Sequence, residues 1–155
     1  MKNPPVNPIA RQSQAWLTEA LLRLMERKPF AEITVTEITQ KAGLSRRTFY
    51  RIFTTREEVL AHYADNRRLL LDGLRGIGID RLAPTDGAFY VYADVSAFTS
   101  DSLSFCSKLL ADTGVAIAPG IDFDTVRGSS FVRLSFAGPT SDVEEAVRRS
   151  GPWLG

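Results

Sequence analysis

Between Ile33 and Phe53 the chain is written as two short helices separated by a turn that glycine alone makes without strain. Thr34-Val35-Thr36-Glu37 has the form of a capping box, in which the Thr34 hydroxyl accepts from an orphan amide and Glu37 reaches back to the Thr34 amide. The spacing predicts a helix over about 35–42 with Val35, Ile38 and Ala42 inward, stopped by Gly43 in a left-handed conformation. Leu44 plugs the turn, and Ser45 caps a second helix over about 46–52 with Phe49, Ile52 and Phe53 inward. Upstream, residues 9–27 read as a helix whose apolar stripe is Trp16, Ala20, Leu21, Leu24 and Met25. Pro29 ends it, because the residue before a proline is pushed out of the helical region. Phe30 and Ile33 are expected to fill the core beneath the connection.

Downstream, Thr55-Arg56-Glu57-Glu58 reads as a second capping box. It opens a helix that runs to Leu74, with Leu60, Tyr63, Leu70, Leu71 and Leu74 at helical spacing. After Gly76 the texture changes. The turn signal Pro84-Thr85-Asp86-Gly87 leads into a strand over 88–93, then a helix over 101–112 with Leu103, Phe105, Cys106, Leu109 and Leu110 as its apolar positions. A short strand over 115–118 ends at Pro119-Gly120, and 131–136 alternates as another. Ser141-Asp142-Val143-Glu144 is expected to cap a last helix through Arg149. The fold class expected is mixed: an N-terminal all-α three-helix helix-turn-helix bundle followed by a small α+β (α/β sandwich) domain. The boundaries expected are a disordered tail over 1–8, the helix-turn-helix over 9–60, a connecting helix and fusion junction over 61–76, and the α/β domain over 77–155.

A chain of 155 residues, 44% hydrophobic and 24% charged, suits one medium or two small globular domains. No apolar run approaches the ~20 residues that span a bilayer, and the start lacks the apolar stretch of a secretory signal. The sole cysteine, Cys106, excludes an intrachain disulfide and fits a reducing cytoplasm. With one histidine, His62, no usual zinc site is expected. The net charge of +1 divides unevenly: residues 1–71 hold 12 Lys/Arg against 7 Asp/Glu, and residues 72–155 hold 7 against 11. A basic front half suits a polyanion.

Paired short helices suit DNA because the major groove admits one helix while the other braces it. The residues placed to meet base edges are Ser45, Arg46, Arg47 and Thr48. Arginine is the commonest reader of guanine, its planar fork matching O6 and N7 together. Thr36, Tyr50, Arg51, Thr55 and Arg56 lie where phosphates pass. The string from Ile33 to Leu60 resembles the DNA-binding domain of the TetR (tetracycline repressor) family, a resemblance that covers about 9–60. It implies a recognition helix over 45–51, with Thr36, Tyr50 and Arg56 on phosphates, and a dimer on paired half-sites. Ile52 stands where that family often carries a histidine near the DNA backbone.

From about 64 to 154 the chain resembles the C-terminal small domain of class I/II pyridoxal phosphate (PLP)-dependent aminotransferases. Four blocks carry this: 66–74 (NRRLLLDGL), 84–92 (PTDGAFYVY), 114–120 (GVAIAPG) and 131–137 (FVRLSFA). The resemblance implies that Arg133 grips a substrate α-carboxylate as a bidentate pair; the plain alternative is a charge on a solvated sheet face. It also implies a cofactor lysine, an Asp partner and a phosphate cup on a large domain of roughly 200 residues that precedes the small one. Lys2, Lys28, Lys41 and Lys108 sit in no segment resembling that site. The expectation is therefore a DNA-binding transcriptional regulator, TetR-like and repressing, that is not an enzyme by itself. No catalytic residue, metal or cofactor is expected, and PLP enters only in the alternative. Double-stranded DNA and a second copy of the chain are the expected partners, with no membrane, an unassigned effector and a cytoplasmic, nucleoid-associated location. The alternative is an aminotransferase-type protein or fragment that binds PLP or an amino acid. A third reading is a fusion whose back half does little beyond folding.

Overall fold

Gly43 adopts φ 67°, and its amide closes the helix before it onto the carbonyls of Thr39 and Gln40. That left-handed turn, open to glycine without a Cβ penalty, sets the crossing of the two short helices. The computed structural model describes residues 8–85 and 88–155. The expected tail over 1–7 and the turn residues Asp86 and Gly87 lie outside them.

The helical half comprises α1 (Pro8–Met25), a 3-10 turn (Phe30–Glu32), α2 (Val35–Ala42), α3 (Arg46–Ile52) and α4 (Arg56–Gly76). The capping box forms as expected: Thr34 Oγ1 accepts from Glu37 N at 3.2 Å while the Glu37 carboxylate accepts from Thr34 N at 2.9 Å. Lys28 pairs with the same carboxylate, and these contacts pull the Glu37 pKa down to about 2. Leu17, Leu21, Ile33, Ile38, Phe49 and Val59 close the first core. Ala20, Leu21 and Leu24 of the expected α1 stripe serve this core, and the stripe differs at its edges. Leu17 is fully buried, whereas Trp16 is 43% and Met25 36% exposed. A 3.6-residue period lets either Trp16 or Leu17 join Ala20 and Leu21, and docking against α2 and α4 selects Leu17.

Thr55 caps α4 by accepting from Glu58 N at 3.2 Å, but the Glu58 carboxylate takes Thr54 N rather than Thr55 N. The second box is therefore half formed. α4 runs through both halves: Val59 belongs to the first core, Leu70 and Leu74 to the second.

The second half holds β1 (Tyr90–Asp94), α5 (Ser102–Thr113), β2 (Ala118–Pro119), β3 (Phe131–Ser135) and α6 (Thr140–Leu154). The strands form an antiparallel sheet in the order β1-β3-β2, with both Tyr92 and Ala118 registered on Arg133. One face, carrying Val91, Ala93 and Val132, packs with Leu70, Phe105 and Val143 of the helices. Mixed class is what the chain shows: a helical N-terminal part followed by a small α+β part.

Several local expectations are corrected. β2 shrinks to Ala118–Pro119, and Val115 serves the interior instead, at 8% exposure. Leu103 and Leu110 on α5 face solvent at 54% and 50%, because Phe105, Cys106 and Leu109 take the buried side. α6 starts at Thr140 after Pro139 with no side-chain cap, so Ser141 does not cap it. It also continues past Arg149 through Pro152. Trp153 holds that last turn down, donating from Nε1 to Asp112 Oδ2 at 2.8 Å and meeting Phe105 edge-on at 5.1 Å.

Candidate functional sites

On the other face of the sheet, strand alternation groups Tyr90 and Tyr92 of β1 with Phe131, Arg133 and Ser135 of β3. Tyr92 stacks on Phe131 at 4.9 Å and 13°, and its hydroxyl is buried without a hydrogen-bond partner among the described residues. Burial, with a smaller push from Asp124, raises the Tyr92 pKa. Arg133 is half-buried, with its Cζ 5.0 Å from the Tyr90 ring centroid and 4.0 Å from that of Phe123. Among the described residues its guanidinium makes no hydrogen bond and no ion pair. A partly desolvated cation with all its N–H donors available is built to receive an anion, and a carboxylate fits its fork in plane. The rings of Tyr90 and Phe123 are residues that sequence reasoning missed. Alternation puts Tyr90 on one strand face, but only the sheet order brings it beside Arg133.

The second candidate is the surface of α3. Ser45 caps it, accepting from Thr48 N at 3.1 Å, and Thr48 Oγ1 lies 3.0 Å from Ser45 Oγ. Arg46, Arg47 and Arg51 are exposed, and among the described residues their side chains have no partner. Most other arginines are paired, as Arg11 with Asp142, Arg81 with Asp94 and Arg149 with Glu145. Tyr50 is 52% exposed beside them, and Thr36 is exposed on α2. Two expected phosphate groups are engaged internally. Thr55 caps α4. Arg56 donates to the carbonyls of Phe30 at 3.0 Å, Ala31 at 3.1 Å and Ile33, and lies over the Phe30 ring at 4.8 Å. Through Nη1 it ties the 3-10 turn to α4, while Nε donates to Glu57 at 3.1 Å.

Between the two halves, His62, Asn66, Gln14 and Thr140 form a polar junction. Asn66 Nδ2 donates to the carbonyls of Phe136 at 2.9 Å and Gly138 at 2.7 Å, and Thr140 Oγ1 donates to Asn66 Oδ1 at 2.7 Å. The only sequence signal was a His and an Asn four apart amid leucines.

The family model for bacterial regulatory proteins of the tetR family matches residues 17–63. The chain is 84% identical over 95 residues to the valine–pyruvate aminotransferase of Mycobacterium tuberculosis, covering 61% of this chain and 24% of the relative. It is 35% identical over 116 residues to a probable N-acetyl-LL-diaminopimelate aminotransferase of Bacillus subtilis, covering 74% and 28%. A crystal structure of an aminotransferase from Mycobacterium tuberculosis superposes with TM-score 0.63 at 69% identity, over 76% of this chain and 29% of that one. The chain thus joins a tetR-type helix-turn-helix to an aminotransferase-like segment, and it spans about a quarter of the length of the curated relatives it matches.

These relatives overturn two expectations. The chain is enzyme-related rather than simply no enzyme, and "no cofactor" fails as its description, since aminotransferases work through PLP. Of such a site, the described residues fit the carboxylate end, at Arg133. The described lysines do not fit a seat for the cofactor itself. Lys28 is ion-paired with Glu37 in the helical half, Lys41 is exposed on α2, and Lys108 is exposed on α5.

Proposed function

We propose that this chain is an aminotransferase-type protein whose α/β lobe receives the α-carboxylate of an amino acid or 2-oxo acid at Arg133. The supporting observation is the half-buried Arg133 guanidinium, beside two rings and without an ion pair or hydrogen bond among the described residues. The name of the 84%-identical relative makes valine and pyruvate the first ligands to try. Titration calorimetry with each should give a saturable signal that Arg133→Gln removes. Equal signals from wild type and variant would refute the assignment.

A second reading is favoured by the three unpaired arginines of α3 and the tetR-family match. In it, Arg46 and Arg47 read bases, while Thr36, Tyr50 and Arg51 hold phosphates, and Ser45 and Thr48 set the helix start in the groove. The lobe then accompanies a DNA-binding regulator that acts in the cytoplasm on the nucleoid, as a homodimer on paired half-sites. Selection of bound fragments from random duplexes tests it, together with light scattering. An enriched motif that Arg46→Ala/Arg47→Ala erases supports it, and failure to enrich any sequence refutes it. Among the described residues no helix is long and apolar enough to cross a membrane.

A further inference from the structure

We infer that Phe123 is a positioning residue: with Tyr90 it brackets the Arg133 guanidinium so that only its N–H edge is offered to a carboxylate. This rests on the carboxylate reading above and assigns a second residue to that site.

The sheet order is the first support. β3 lies between β1 and β2, so Tyr90 reaches Arg133 from one neighbouring strand and Phe123 from the chain that leaves the other. A guanidinium stacks through its faces and donates from its edges. Rings over its two faces would leave the fork free, which favours an in-plane bidentate partner over one lying on top.

The second support is that Phe123 is held there by a braced loop. Half of its surface is exposed, at 50%. Its backbone is nonetheless tied down. Phe123 N donates to Gly120 O at 2.9 Å, and Gly128 N donates to Asp124 O at 2.8 Å. The Asp124 carboxylate accepts from Val126 N and Arg127 N, both at 2.9 Å. The loop's two ends close on each other so tightly that a Cβ on Gly120 would lie 2.5 Å from Phe131 O, and one on Gly128 would collide with the Gly120 backbone. Ser102 Oγ, buried at the start of α5, donates to Gly128 O at 2.8 Å and fastens the loop to the lobe. These contacts brace the loop from which the Phe123 ring lies 4.0 Å from the guanidinium carbon.

The test uses the whole chain and two readouts on Arg133 Nε–Hε by ¹⁵N NMR, in wild type, Phe123→Leu, Phe123→Tyr and Arg133→Gln. Without ligand, the wild-type signal should be ordered and shifted by the rings, mobile in Phe123→Leu, and restored in Phe123→Tyr. On adding pyruvate, the wild-type signal should move, with the dissociation constant about three- to fivefold weaker in Phe123→Leu and recovered in Phe123→Tyr. An ordered, ring-shifted signal that pyruvate leaves in place would overturn the carboxylate reading itself. A wild-type signal already mobile, or Phe123→Leu binding pyruvate as wild type does, would overturn the positioning role while leaving that reading intact.

Discussion

Nε2 of His62 on α4 lies 2.9 Å from the carbonyl oxygen of Gly138, the residue that leads into α6. The same nitrogen is 3.3 Å from Gln14 Nε2 on α1 and 3.2 Å from Asn66 Nδ2, and the ring packs 5.7 Å from Phe53. One imidazole therefore touches both halves of the molecule. Burial lowers its pKa below 6.5, against the opposing pull of the Gly138 carbonyl and the more distant Asp65 and Glu58.

Stability should consequently fall in mildly acid solution. A histidine with a depressed folded-state pKa binds a proton less readily folded than unfolded, so its contribution is complete above 6.5 and is lost as pH falls through the folded-state value. Glu37 and Glu145, both held near 2, titrate well below that window. Denaturant midpoints should drop between pH 8 and pH 5.5 in wild type and stay level in His62→Gln. Equal slopes in both would show that the junction histidine is not responsible.

Gly73→Ala sets two effects against each other on α4. Alanine gains about 1 kcal/mol of helix propensity, but its Cβ would sit 2.6 Å from both methyls of Val147 on α6. Overpacking costs about 1–3 kcal/mol, and a branched side chain with both methyls in contact has no rotamer that clears the site. Net destabilisation is expected in urea unfolding, and it should revert in Gly73→Ala/Val147→Ala.

Thr34→Ala removes the acceptor for Glu37 N while leaving the core untouched. It should cost about 1 kcal/mol, read as a lower denaturant midpoint with an unchanged slope.

On α3 the roles separate by salt and sequence. Arg46→Ala and Arg47→Ala should each reduce discrimination between the selected sequence and random duplex by about 1–3 kcal/mol. Arg51→Ala should weaken both alike and lower the salt slope by about one. Arg56→Ala should instead lower stability, because its guanidinium serves the Phe30, Ala31 and Ile33 carbonyls.

How much of this was legible follows the range of the forces involved. The turn at Gly43 and the caps at Thr34 and Ser45 depend on neighbours a few residues away, and they stand where the sequence placed them. The carbonyl partners of Arg56 lie 23–26 residues upstream, beyond any local pattern, so its internal role was not legible. Leu17 and Trp16 are each one turn from Ala20 or Leu21, so helical spacing alone does not choose between them. Arg133 was found through a block resembling known enzymes, but Tyr90 and Phe123 become its neighbours only once β3 is placed between β1 and β2. The last helix was read only through Arg149, yet docking of Trp153 against α5 carries α6 on through Pro152.

The most direct test of the account is a crystal structure of this chain grown with pyruvate. It should show both carboxylate oxygens in the plane of the Arg133 guanidinium, within hydrogen-bond distance, and between the Tyr90 and Phe123 rings. Clear density for pyruvate on another cation, with the Arg133 fork bare, would contradict it.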